Sequence, residues 1–133
     1  MNLMIEQTNL IVTEWHYYPP GRAIDEKEFI DELTILDVQK KRASTKKGIA
    51  FRFSCRFTFE NKLILNYVGE DSYVIDFDEV IDEHELLTMV RNSFSKFKDK
   101  FDFRKLPTVL QNRSLRPLDE SMINIASMLP LLV

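Results

Sequence analysis

The chain has 133 residues, a net charge of −3 and a hydrophobic share of 44%. That is one domain with enough apolar material to bury a core without a disulfide or metal staple. A single Cys excludes an internal disulfide framework, and with only two His it leaves too few soft ligands for a structural zinc site.

In chain order, residues 1–9 fit either a frayed end or an added edge strand. They hold no basic region followed by an apolar run, so no secretory signal is expected. Leu10 to Tyr18 reads as a strand, ended by Pro19-Pro20-Gly21, after which a loop or crossover leads to the next strand. Phe29 to Gln39 is that next strand, with less distinct faces. Lys40 to Gly48 is a turn-like connection.

The clearest segment follows. Ile49, Phe51, Phe53, Cys55, Phe57 and Phe59 share one parity, and Ala50, Arg52, Ser54, Arg56, Thr58 and Glu60 the other. Period-two alternation over twelve residues marks a strand with one face on a core. Glu60-Asn61-Lys62 turns the chain into a partner strand, where Leu63, Leu65, Tyr67, Tyr73, Ile75 and Phe77 share a parity. Gly69 and the polar residues after it suggest a bulge or kink midway.

The period then changes. Asp82 and Glu85 form an Asp-x-x-Glu capping pattern. Leu87, Val90, Phe94, Phe97 and Phe101 are spaced as one apolar stripe on a helix of about five turns. Glu83 and Glu85 at its start and Lys96, Lys98 and Lys100 near its end suit the helix dipole. Phe103 to Pro117 is a connection. A short last helix is expected from about Asp119, with Met122, Ile125, Ala126 and Leu129 on one face and Pro130 as its stop. The fold class is therefore α+β: a four-stranded antiparallel sheet, one long helix and a short C-terminal helix.

Charge is segregated. Lys40 to Arg56 holds seven basic residues and no acidic one, and Glu70 to Glu85 eight acidic residues and no basic one. A basic stretch can track phosphates, but hairpin turns and solvated faces also collect charge. Nucleic acid is therefore not the expected partner. Cys55 lies in phase with the Phe residues and reads as a buried, inert thiol. No Gly-rich phosphate loop is present, no calcium-loop spacing is satisfied around Asp76, and His16 and His84 have no nucleophile beside them in sequence. Neither enzymatic activity nor a cofactor or metal is expected.

Trp15, His16, Tyr17 and Tyr18 place four rings in succession on a strand, so they cannot all face one core. Some must lie under a loop, at a subunit contact or in an apolar groove. Phe103, Leu106, Val109 and Leu110 lie in the connection after the helix, outside any periodic element.

Four sequential strands with a crossover after the first, a long helix and a short last helix resemble the SecB export-chaperone family. The resemblance runs from about Leu10 to the end. It rests on the long hairpin from Ile49 to Phe77 with its Gly, on the crossover opening Tyr17-Tyr18-Pro19-Pro20-Gly21, and on Leu86-Leu87-Thr88-Met89-Val90-Arg91. This last segment falls where the family carries Leu-Phe-Pro-Tyr-Ala-Arg. It keeps the first Leu and the final Arg, with Thr88 and Met89 in place of Pro and Tyr. Tyr67 stands where the family places an acidic contact to the SecA motor, so the resemblance does not extend to SecA docking. Divergent SecB-like proteins, including those paired with toxin–antitoxin systems, are the better comparison.

The resemblance implies a cytoplasmic homotetramer, a dimer of dimers, that holds unfolded or precursor polypeptides in apolar grooves without ATP. Trp15, Tyr17, Tyr18, Phe103, Leu106 and Val109 would line the groove. Two other readings fit the elements: a helix-grip cup for a small apolar ligand, and a basic-patch nucleic-acid module built on Lys40 to Arg56.

Overall fold

The computed structural model describes residues 5–7, 9–25, 27–42, 46–76, 80–111, 115–120 and 123–124. Five strands, β1 (Ile5–Gln7), β2 (Ile11–Tyr17), β3 (Asp31–Arg42), β4 (Lys46–Phe59) and β5 (Lys62–Asp76), precede the helix α1 (Glu83–Asp99). All strand pairs are antiparallel. β1 and β2 follow each other along one edge of β5, so the five strands fill four lanes in the order β1/β2, β5, β4, β3. The α+β expectation of four sheet lanes followed by one long helix is met. Residues 18–25 and 27–30 belong to the crossover between β2 at one edge and β3 at the other.

The parity of β4 decides the layering. Phe51, Phe53, Cys55 and Phe57 are buried on the face that meets α1, while Arg52, Ser54, Arg56 and Thr58 turn the other way. Burial of each large apolar side chain contributes about 1.5–3 kcal/mol. Rings dominate the contact: Phe53 lies 5.4 Å from both Phe94 and Phe97, and Tyr67 stacks on Phe97 at 4.2 Å. Tyr67 also donates its hydroxyl to the Phe97 carbonyl at 2.6 Å, so the helix end is held by both a ring stack and a buried hydrogen bond.

The cap on α1 is as expected: the Asp82 side chain accepts from the Glu85 N–H at 2.8 Å. The stripe differs. Leu86, Met89, Val90, Phe94 and Phe97 are buried, Leu87 is only half-buried, and Phe101 is buried beyond the end of the helix. The sheet meets a slightly rotated helix face because Tyr73 donates to the Met89 carbonyl at 3.2 Å and Ser93 is drawn inward to Asp71.

Gly69 is not a bulge. β5 runs unbroken through it, directly opposite Phe53, and its bare backbone leaves room for the Phe97 ring. The irregularity falls on the partner strand instead: Val12 faces Gly69 and Glu14 faces Val68, so the extra residue, Thr13, lies on β2 directly beside Gly69, and a second register shift lies between Phe57 and Thr58. The β4–β5 turn uses Glu60 and Asn61 at φ 51° and 62°, the left-handed pair of a two-residue hairpin. The N-terminal ambiguity resolves to an edge strand, since Ile5–Gln7 pairs with Tyr73–Ile75.

After α1 the connection holds two single turns, a 3-10 turn at Phe103–Lys105 and the short helix α2 (Thr108–Gln111). Residues 115–120 and Ile123 then lie against both layers. The Arg116 backbone N–H donates to a Glu32 carboxylate oxygen at 2.9 Å, and Arg91 on α1 grips Glu120 in a bidentate pair. Within the last helix expected from about Asp119, Glu120 is in a 3-10 turn and Ile123 and Asn124 are not helical, while Met122, Ile125, Ala126 and Leu129 lie outside the described residues. Among the described residues, no helix is long and apolar enough to cross a membrane.

Candidate functional site

The aromatic run of β2 is divided by strand geometry. Trp15 and Tyr17 pair with Tyr67 and Leu65 and share the core-facing side, whereas His16 pairs with Asn66 on the other. Trp15 is half-buried, 5.4 Å from Tyr67 and 5.1 Å from Phe101, with the Lys105 ammonium 5.5 Å from its ring. Phe103 is half-buried and meets Phe101 edge-on at 4.4 Å, so Phe101 links Trp15 to Phe103 in one continuous ring patch. Tyr17 is half-buried against the core, and burial raises its phenol above the ordinary range. Leu106 is fully part of the core, which removes it from any exposed lining. Val109 lies in α2, where its side chain falls outside the described residues.

Tyr18 leads into a separate feature. Past the end of β2, its backbone N–H donates to the Ile64 carbonyl at 2.8 Å, and its ring remains 49% exposed. It opens a cleft of about 450 Å³ between the crossover and the β4–β5 turn, lined by Pro19, Pro20, Phe59 and Leu63 among others. Leu63 is 39% exposed. The rear of the cleft is fixed by Arg22. Its guanidinium bonds Glu28 at 2.7 Å and Glu60 at 2.6 Å, and stands 4.9 Å over the Phe59 ring. These bonds hold the Glu28 carboxyl well below its ordinary range, at about 2.

Among the described residues β2 pairs with β5 alone, so the Trp15–Phe103 patch and the Tyr18 cleft both lie along a sheet edge. Sequence reasoning found Trp15, Tyr17, Tyr18 and Phe103. It missed Leu63, Arg22 and Phe59, which reach the cleft only through the crossover and hairpin turn. The Glu60-Asn61 dipeptide was their one local signal.

A second cavity of about 450 Å³ lies between β3, from Glu32 to Leu36, and residues Arg116 to Asp119 with Ile123. Leu33 and Ile35 on this strand are 54% and 43% exposed.

The sheet–helix interior is packed with rings. The two charge runs are cross-strand neighbours: Lys46 stands opposite Asp76 and Arg52 opposite Glu70. The basic run is thereby matched with acid within the same sheet instead of forming a uniform field. Among the described residues, no group of His, Cys, Asp and Glu is arranged to hold a metal ion. The Cys55 thiol is buried, and burial pushes it up to about 12.

No protein-family model matches the chain, and no curated protein matches it in sequence.

Proposed function

We propose that the chain is a cytoplasmic, ATP-independent holdase that captures unfolded or precursor polypeptides along the edge of β2, in the manner of the SecB-like chaperones it resembles. The observation that carries this reading is the Tyr18–Leu63 cleft, a surface hollow in which Tyr18, Pro19, Pro20 and the exposed Leu63 meet Arg22, Glu60 and Lys62. Its volume of about 450 Å³ has room for side chains of an extended chain, and Trp15 with Phe103 adds apolar surface along the same edge. Such a protein needs no catalytic residue. It acts by mass action, lowering the free concentration of the unfolded state.

The test is suppression of aggregation of a chemically denatured protein on dilution, without nucleotide. The parent chain is expected to suppress aggregation. Tyr18→Ser combined with Leu63→Ser is expected to lose most of that effect while keeping the parent's circular dichroism spectrum. Absence of suppression by the parent, or equal suppression by the double variant, would remove the reading.

A further inference from the structure

We propose that Pro117 to Glu120, with Ile123, form a strap that swings on an anchor at Arg116 and is latched to α1 by the Arg91–Glu120 pair. Breaking this pair uncovers apolar surface between β3 and the helix. This inference does not depend on the holdase reading.

The two ends of the strap are held by contacts of different strength. Leu115 is buried in the core, and Arg116 meets Glu32 twice. Its backbone N–H donates to the Glu32 carboxylate at 2.9 Å, and its guanidinium donates to the Glu32 carbonyl at 2.6 Å. The Glu32 side chain is only 4% exposed. Pulling the donor away leaves a buried carboxylate unsatisfied, which is costly. At the other end Glu120 accepts two hydrogen bonds from Arg91, but these side chains are 40% and 51% exposed. Water replaces such a pair readily, and exposed pairs shift an equilibrium by no more than about fivefold. A firm anchor at one end and a weak ionic tie at the other make a hinge and a latch.

Packing beneath the strap is incomplete on both sides. Toward β3 lies the cavity of about 450 Å³, and toward α1 a third hollow of about 230 Å³ beside Arg91, Phe94 and Lys98. Pro117 and Leu118 line both, so the half-buried Leu118 is a partition between them. Cores ordinarily leave few voids, and a segment flanked by two of them gives up little dispersion contact when it moves. Lifting Leu118 joins the two hollows into one trough that runs from Leu33 and Ile35 of β3 to Phe94 of α1. The charge on Glu120 thereby governs how much apolar surface the molecule shows.

The test places a reporter under the strap. Leu118→Cys puts a thiol on the partition, while Cys55 stays buried in the core. The measurement is the rate at which a thiol-reactive disulfide reagent modifies this variant at neutral pH and low salt. Adding Glu120→Lys sets two cations against each other and is expected to raise the rate by up to roughly fivefold, with an unchanged circular dichroism spectrum. Adding Arg91→Glu as well reverses the pair and is expected to return the rate to that of Leu118→Cys alone. A second arm keeps the native Leu118, so that it reads the strap even if the cysteine loosens it. There Glu120→Lys is expected to brighten the emission of an environment-sensitive apolar dye over that of the parent. Leu33→Ser with Ile35→Ser is expected to abolish this gain. Equal dye emission in Glu120→Lys and the parent overturns the proposal. So does a gain that survives loss of Leu33 and Ile35, or a raised thiol rate that Arg91→Glu does not reverse.

Discussion

A methyl group built on Gly69 would lie 2.8 Å from Cδ2 of Phe97. The helix approaches the sheet over this one position, and the close approach lets Phe97 stack on Tyr67 while Tyr67 bonds its carbonyl. Gly69→Ala is therefore expected to destabilise the fold by about 1–3 kcal/mol, the usual cost of overpacking a core. Urea titration gives the value. In a double-mutant cycle with Phe97→Leu the two losses are expected to be less than additive, since the smaller side chain vacates the space that the methyl needs.

The second relationship joins the same two layers through polar groups. Asp71 is fully buried, accepting from the Ser93 hydroxyl at 2.7 Å and from the Ser72 N–H at 3.1 Å, with the Lys96 ammonium 3.8 Å away. A buried carboxylate is tolerated only when its hydrogen bonds are met. Ser93→Ala removes one of them and is expected to cost about 1–3 kcal/mol. Chemical denaturation measures it, and an effect within error of zero would show that water replaces the hydroxyl.

These two contacts also show where sequence reading stops. The parity of β4 and the Asp82 cap were legible because each is local: alternation and capping involve residues a few positions apart. Gly69 read as a bulge because a glycine inside a strand has two physical causes, a backbone irregularity or a close approach. Here both occur: β2 carries its irregularity opposite Gly69, and Phe97, nearly thirty residues on, makes the close approach. The helix stripe was displaced from Leu87 to Leu86 and Met89 for a similar reason: spacing alone could not reveal that Ser93 turns inward toward Asp71. At the candidate site, the excess of rings on β2 was visible. The division into a Phe101-linked patch and a Tyr18 cleft was not, because it depends on the crossover bringing Arg22 to Glu28 and Glu60.

Cys55 gives a test of core integrity. Its thiol is pushed up to about 12 by burial. The folded state thus holds the proton more tightly than the unfolded state, whose ordinary value is 9.0. Cys55 favours folding fully below about pH 9, and that contribution is lost as the pH climbs toward 12. A thiol-reactive disulfide reagent is expected to leave the native chain unlabelled at pH 8 and to label it at once in denaturant. Rapid native labelling would mean that β4 opens from the helix.

Glu28 carries the opposite dependence. Hydrogen bonds from Arg22 hold its carboxyl at about 2, below the ordinary 4.5, so its contact favours the closed crossover above pH 4.5 and is lost as the pH falls toward 2. Arg22→Ala is expected to return the Glu28 titration to its ordinary range, read by carboxyl chemical shifts in NMR. It is also expected to make residues 18–30 more sensitive to protease at neutral pH, because the crossover then has no bridge to Glu60. A titration unchanged in the variant would show that Arg22 does not hold Glu28 in solution.

Trp15 is the chain's single tryptophan, which makes its emission a reporter on one place. The ring has two faces in different surroundings: one side packs on Tyr67 and Phe101, and the Lys105 ammonium stands near it on a flexible stem. If clients use the apolar surface along β2, an extended chain covers the wetter side of the indole and displaces water from it. Addition of a reduced, carboxymethylated client is then expected to shift Trp15 emission to shorter wavelength and to lower its quenching by acrylamide. Tyr18→Ser with Leu63→Ser is expected to weaken the concentration dependence of that shift without changing the starting spectrum, since neither residue touches the indole in the ring contacts described above. A client that binds with Trp15 emission unchanged would confine the site to the Tyr18 cleft and detach the Trp15–Phe103 patch from it.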